Sequence, residues 1–183
     1  MEQFPNPTKL PEQIEAQLQQ KISFAKEHAL THEAEKEISE KKFEMEAISS
    51  QRELTDEEVE LFYSFREKMN DATIRVETLP EARRVMEVLG FNEADLIDTL
   101  AHENAHGNKA EQLGANHHGY SFTLSETADG KFAVQPQAIT SIPDEWSTKK
   151  ANEVDAQILQ APDEYGNKMS DSDKKKLEEI YRQ

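Results

Sequence analysis

The chain contains no cysteine. Disulfide frameworks and Cys-ligated zinc ribbons are therefore excluded, and any metal must be held by His, Asp or Glu. Positive charge is scarce: 21 Lys and Arg stand against 37 Asp and Glu, a formal net charge of −16. Such a field repels phosphate backbones, so nucleic acid is not expected as a direct partner. A basic or unfolded polypeptide is electrostatically easier to approach. Hydrophobic residues are only 36% of the 183, which implies that part of the chain forms poorly buried helix. No window approaches the roughly 20 apolar residues that cross a bilayer. The N-terminus, MEQFPNPTKLPEQ, has neither a basic segment nor an apolar run of the kind that marks a signal peptide. The expectation is a soluble cytoplasmic protein with no membrane association.

What is present reads as a mainly α, α+β chain. Residues 1–10 carry two prolines and little pattern, a loose leader. From Pro11 to about Ser50 the spacing of Ile14, Leu18, Ile22 and Ala25 predicts one long helix, with a thin apolar stripe of Ile38, Phe43, Met45 and Ile48 further on. Thr55 and Glu58 form a capping-box pair ahead of Val59, Leu61, Phe62 and Phe65. Residues 11–70 are thus expected to form an antiparallel helical hairpin, an appendage or scaffold for a core spanning 71–183. In that core, ATIRVETLP reads as a short strand and EARRVMEVLGF as a short helix closed by Gly90. Asn92 caps a helix through EADLIDTLAHENAHGNKAEQL that stops near Gly114. Alternating runs on either side of Asp129-Gly130 predict a β-hairpin. A helix from Pro143 to about Gln160 and a last one from near Ser170 complete the chain.

The stretch LAHENAHGNKAEQLGANHHGYSF holds four of the six histidines. His102-Glu103-Asn104-Ala105-His106 is a His-Glu-x-x-His pattern. On a helix, residues i and i+4 project from one face, so both imidazoles can reach one ion. A carboxylate next to the first histidine can take a proton from a metal-activated water without occupying a ligand position. This chain's own composition gives roughly 0.03 random matches to the pattern. A catalytic zinc site needs a third protein ligand. Glu111, about 140° round the helix from His106, is at a poor angle for the same ion. His117 and His118 can instead reach it from a loop after Gly114. A second pair, His28 and His32, has the i,i+4 spacing but neither the intervening Glu nor a further histidine nearby. Asp98, one turn before His102, is a candidate acceptor for an imidazole, and Tyr120 a candidate hydrogen-bond donor to an oxyanion.

The segment HENAH…HHGYSF, over about residues 96–122, resembles the active site of the SprT-like and YgjP-like zinc metallopeptidases within the wider zincin group. There a His-Glu-x-x-His helix is followed by a third histidine in an H-G/S-x-x-F motif, matched here by His118-Gly119-Tyr120-Ser121-Phe122. The resemblance implies a zincin-like core with an active-site helix and a small β-hairpin or sheet. It also implies Zn²⁺ held by His102, His106 and His118, with Glu103 as general base. The expected function is a zinc-dependent peptidase acting on a peptide or protein substrate, with Tyr120 assisting the oxyanion and the strand near Ile74–Glu77 offering an edge to the substrate. The competing expectation is a non-enzymatic acidic helical interaction protein with a closed, structural metal site. A fourth protein ligand would mark the latter.

Overall fold

The computed structural model describes residues 9–161 and 169–182, so most of the expected leader lies outside the described residues. These residues form seven helices and a three-stranded sheet: α1 (Glu12–Glu27), α2 (His32–Ser49), α3 (Asp56–Asp71), β1 (Thr73–Val76), α4 (Leu79–Val88), α5 (Glu93–Gln112), β2 (Asn116–Glu126), β3 (Phe132–Ser141), α6 (Thr148–Leu159) and α7 (Asp171–Tyr181). The sheet order is β1-β2-β3, so β2 is central and β3 an edge. Pro136, which has no N–H to give a neighbour, suits that edge strand. The mainly α, α+β reading holds. None of the described helices is long and apolar enough to cross a membrane.

The chain divides into two compact units. One comprises residues 12–74 and 122–135. Here the single long helix expected from Pro11 to Ser50 is two helices. Thr31 ends the continuity: its side chain accepts from Ala34 N–H as the N-cap of α2. Leu30, just before it, turns its backbone to the sheet, donating to Leu124 O (3.0 Å) and accepting from Glu126 N–H (2.7 Å). Two backbone bonds and a cap together outweigh the continuation of a charge-rich helix whose apolar stripe is thin. The capping box at α3 forms as the sequence predicts, with Thr55 and Glu58 exchanging bonds. Leu30, Ile38, Phe65 and Ala72 make a buried cluster at the base of this unit.

The other unit holds, among the described residues, 9–11, 75–121, 136–161 and 169–182. Thr78 and Glu81 form a capping box at α4, and Asn92 caps α5 by accepting from Asp95 N–H (2.9 Å). The two helices are tied by Arg83, buried to 6% exposure, whose guanidinium grips Glu93 through both carboxylate oxygens (2.7 and 2.9 Å) and Glu87 (3.0 Å). A buried guanidinium needs such partners, because an unpaired charge there costs several kcal/mol. Leu96 and Leu100, each 1% exposed, put one face of α5 in the core. α6 starts at Thr148 rather than Pro143, since Pro143–Trp146 forms a turn (Trp146 N–H to Pro143 O, 3.1 Å) and Ser147 takes the N-cap. Ala110, Ala115, Val154 and Ile158, with Leu113, Ile142 and Trp146 against them, fix α6 on α5.

The expected loop carrying His117 and His118 is strand from Asn116 onward. Gly119 (φ 109) lies against the backbone of Val76 and Glu77 on β1, where a Cβ would collide with Val76 O. Gly119→Ala should therefore lower unfolding free energy by about 2–4 kcal/mol. Gly130→Ala, also at positive φ but with nothing within 4 Å, should cost about 1 kcal/mol. Urea titration of both variants checks this, and equal losses would refute the close approach.

Candidate metal centre

α5 carries His102, Glu103 and His106, and α7 brings Asp173 to them. Asp173 Oδ2 lies 3.0 Å from His102 Nε2 and 3.4 Å from His106 Nε2, and the two imidazole nitrogens are 3.1 Å apart. These are the three residues whose ligand atoms gather closely enough to hold a metal ion, and among the described residues no other such group occurs. His106 and Asp173 are buried, at 5% and 7% exposure.

The neighbours orient each member. His106 Nδ1 donates to the carbonyl of Ile158 on α6 (2.7 Å). A carbonyl can only accept, so Nδ1 carries a proton; with the ring neutral, Nε2 has the lone pair a metal ligand needs, and with the ring protonated Nε2 donates to Asp173. Ser170, the N-cap of α7, accepts from Asp173 N–H (3.1 Å) and donates its hydroxyl hydrogen to Asp173 Oδ2. The cap that starts the helix thus also aims the carboxylate. Glu103 Oε2 accepts from Ala138 N–H on β3 (2.7 Å).

The electrostatics follow the burial. Burial alone would raise the Asp173 carboxyl, but hydrogen bonds from His102, His106 and Ser170 outweigh it and hold the group well below its ordinary range. Burial would likewise lower His106, yet the hydrogen bonds to Asp173 and the Ile158 carbonyl leave its pKa raised. For Glu103, burial wins: the carboxyl is raised, with the Ala138 N–H and the two histidines pulling part of the way back.

The remaining expected site residues lie elsewhere. His118 is exposed, its Nε2 2.7 Å from Ser141 Oγ on β3, and it does not join the group. The positive φ of Gly119 breaks the strand's alternation. His117 and Tyr120 consequently both meet α5: the His117 ring packs on Gly107, where a Cβ would come within 2.5 Å of it, and Tyr120 OH donates to Asn104 Oδ1 (2.9 Å). His118, between them, faces β3. Tyr120 is buried at 3% exposure and raised to about 12 by that burial, so its hydroxyl is engaged with Asn104. Glu111 lies 3.9 Å from His117 Nδ1, and Asp98 is exposed. His28 stacks on Phe24 (4.1 Å between centroids), and His32 is exposed apart from it. The strand that reaches Glu103 is β3, while β1, the edge the sequence offers a substrate, is the other outer strand of the sheet. Asp173 went unseen because it follows His102 by 71 positions. Its one local signal was the Ser170-x-x-Asp173 cap pattern, which reads equally as an ordinary helix start.

No protein-family model, curated protein or solved structure matches this chain.

The His106–Asp173 pair sets a pH window for the metal-free protein. The contribution from His106, whose pKa is raised above 6.5, is fully present below that value and is lost as pH rises through the raised one. That from Asp173, depressed below 3.8, is present above that value and lost as pH falls through the depressed one. Chelator-treated wild type should therefore lose stability on the alkaline side, and Asp173→Asn should flatten that limb. Urea midpoints from about pH 5 to 9 measure it, and parallel curves for the two proteins would refute the pairing.

Proposed function

We propose that the chain is a zinc-dependent hydrolase of peptide bonds, with His102, His106 and Asp173 as metal ligands and Glu103 as general base. One observation carries this reading. Zinc with ligands at about 2.0–2.1 Å in tetrahedral array sets its ligand atoms about 3.3–3.4 Å apart. The three separations here are 3.0, 3.1 and 3.4 Å, with the general-base position of a His-Glu-x-x-His helix alongside. Two imidazoles and a carboxylate are also a donor set that suits zinc. Among the described residues the group offers three ligand atoms, which leaves a coordination position for water or substrate, as a catalytic site requires.

Bound zinc supplies the Lewis acid, lowering the pKa of a water towards neutrality and polarising a carbonyl. Glu103 handles the proton: its carboxylate takes it from the attacking water and returns it to the leaving amine. Partial burial suits that task, because it lifts the carboxyl towards the working pH. Ala138 N–H fixes one oxygen of this carboxylate. The β3 edge beside Glu103 gives an extended peptide a strand to pair with.

Purified wild type should carry about one zinc per chain by elemental mass spectrometry. His102→Ala and Asp173→Ala should lose it, while His118→Ala should keep it. The opposite result for the last two would return the third ligand to His118. Glu103→Gln should keep the metal and lose hydrolysis by about 100-fold or more. Retained activity in that variant, or no metal in the wild type even when zinc is supplied, would end the peptidase reading.

A further inference from the structure

Next to the proposed centre lies a cavity of about 510 Å³ between β3, α6 and α7. Two of its lining residues bond the centre directly: Ala138 through its N–H to Glu103, and Ile158 through its carbonyl to His106. Its lining is mixed: Ala138, Ile139, Ile158, Leu159 and Ile180 supply aliphatic surface beside polar and charged side chains. Asp155 on α6 also faces this space. It is half-buried and has no hydrogen bond or ion pair among the described residues. Burial is the one cause acting on its carboxyl, which is raised accordingly. Arg75 and Glu179, also in the lining, are exposed at its rim. Lys176 on α7 is half-buried and forms no ion pair with Asp155.

We infer that this cavity receives a lysine or arginine side chain from a peptide lying extended along β3, with Asp155 accepting its charge. The inference rests on the peptidase reading for the peptide's orientation. A half-buried carboxylate with no ion-pair partner among the described residues is costly until a cation reaches it, and the aliphatic side chains of Ile139, Ile158, Leu159 and Ile180 suit the methylene stem of a long basic side chain. The chain's net charge of −16 draws cationic peptides towards it in the same sense. Arg75 and Lys176 also line the cavity and oppose the incoming charge, so they limit the affinity.

The test uses end-blocked alanine pentapeptides with a central Arg, Lys, norleucine or Glu, titrated by NMR into the zinc-loaded Glu103→Gln protein. Arg and Lys peptides should bind on the order of 10-fold tighter than norleucine. Asp155→Asn should erase that preference, and Lys176→Met should tighten the Arg peptide. Equal binding of Arg and norleucine, no binding of any peptide, or an Asp155→Asn protein that keeps the preference would overturn the inference. So would a Glu peptide that binds tightest and is weakened by Lys176→Met. Cleavage by wild type is scored separately. A protein that prefers Arg but cleaves none of the peptides would refute the peptidase and leave the basic-side-chain pocket standing. Cleavage without charge preference would do the reverse.

Discussion

A carboxylate buried between two imidazoles is the constraint that this half of the molecule is built to satisfy. Asp173 is 7% exposed, and a charge so placed costs several kcal/mol unless it is matched. His102, His106 and the Ser170 hydroxyl supply the match. Each partner holds only if its own element is fixed. The histidines need α5 seated by Leu96, Leu100 and the Arg83–Glu93 pair; His106 needs Ile158 on α6; Asp173 needs the first turn of α7. Asp173 is the one buried residue of α7, so the ion pair does for that helix what apolar packing does for the others.

Two of the orienting groups are backbone atoms. The Ile158 carbonyl selects the tautomer of His106, and the Ala138 N–H anchors Glu103. Side-chain identity at these positions affects the chemistry only through where it places the main chain. Alanine and isoleucine therefore stand at a polar site with no polar atom of their own to mark it.

This explains where the sequence was legible. Capping boxes and apolar periodicity are local, so α3, α4, α5 and the hairpin at Asp129-Gly130 could be read directly. The His-Glu-x-x-His spacing is local too, and it placed His102 and His106 on one face. The break at Leu30–Thr31 was not legible from helical periodicity, because it depends on backbone bonds to Leu124 and Glu126 nearly a hundred residues on. The third member of the metal group was illegible for the same reason. His118 had the better local pattern, but one glycine at φ 109 reversed which neighbours face α5. Motif spacing specifies direction along a helix well and across a strand that carries a positive-φ glycine poorly.

The proposed centre would also close a long loop. An ion held by His102, His106 and Asp173 would join positions 71 residues apart, in a chain with no cysteine. By the chain-entropy argument used for disulfides, tying a loop of that size removes about 4 kcal/mol of freedom from the unfolded ensemble. Unlike a disulfide, such a cross-link needs no oxidant to form and opens to a chelator or to acid. With an ion bound, α7 would be fastened by coordination, and its attachment would track the supply of metal rather than the redox state of its surroundings.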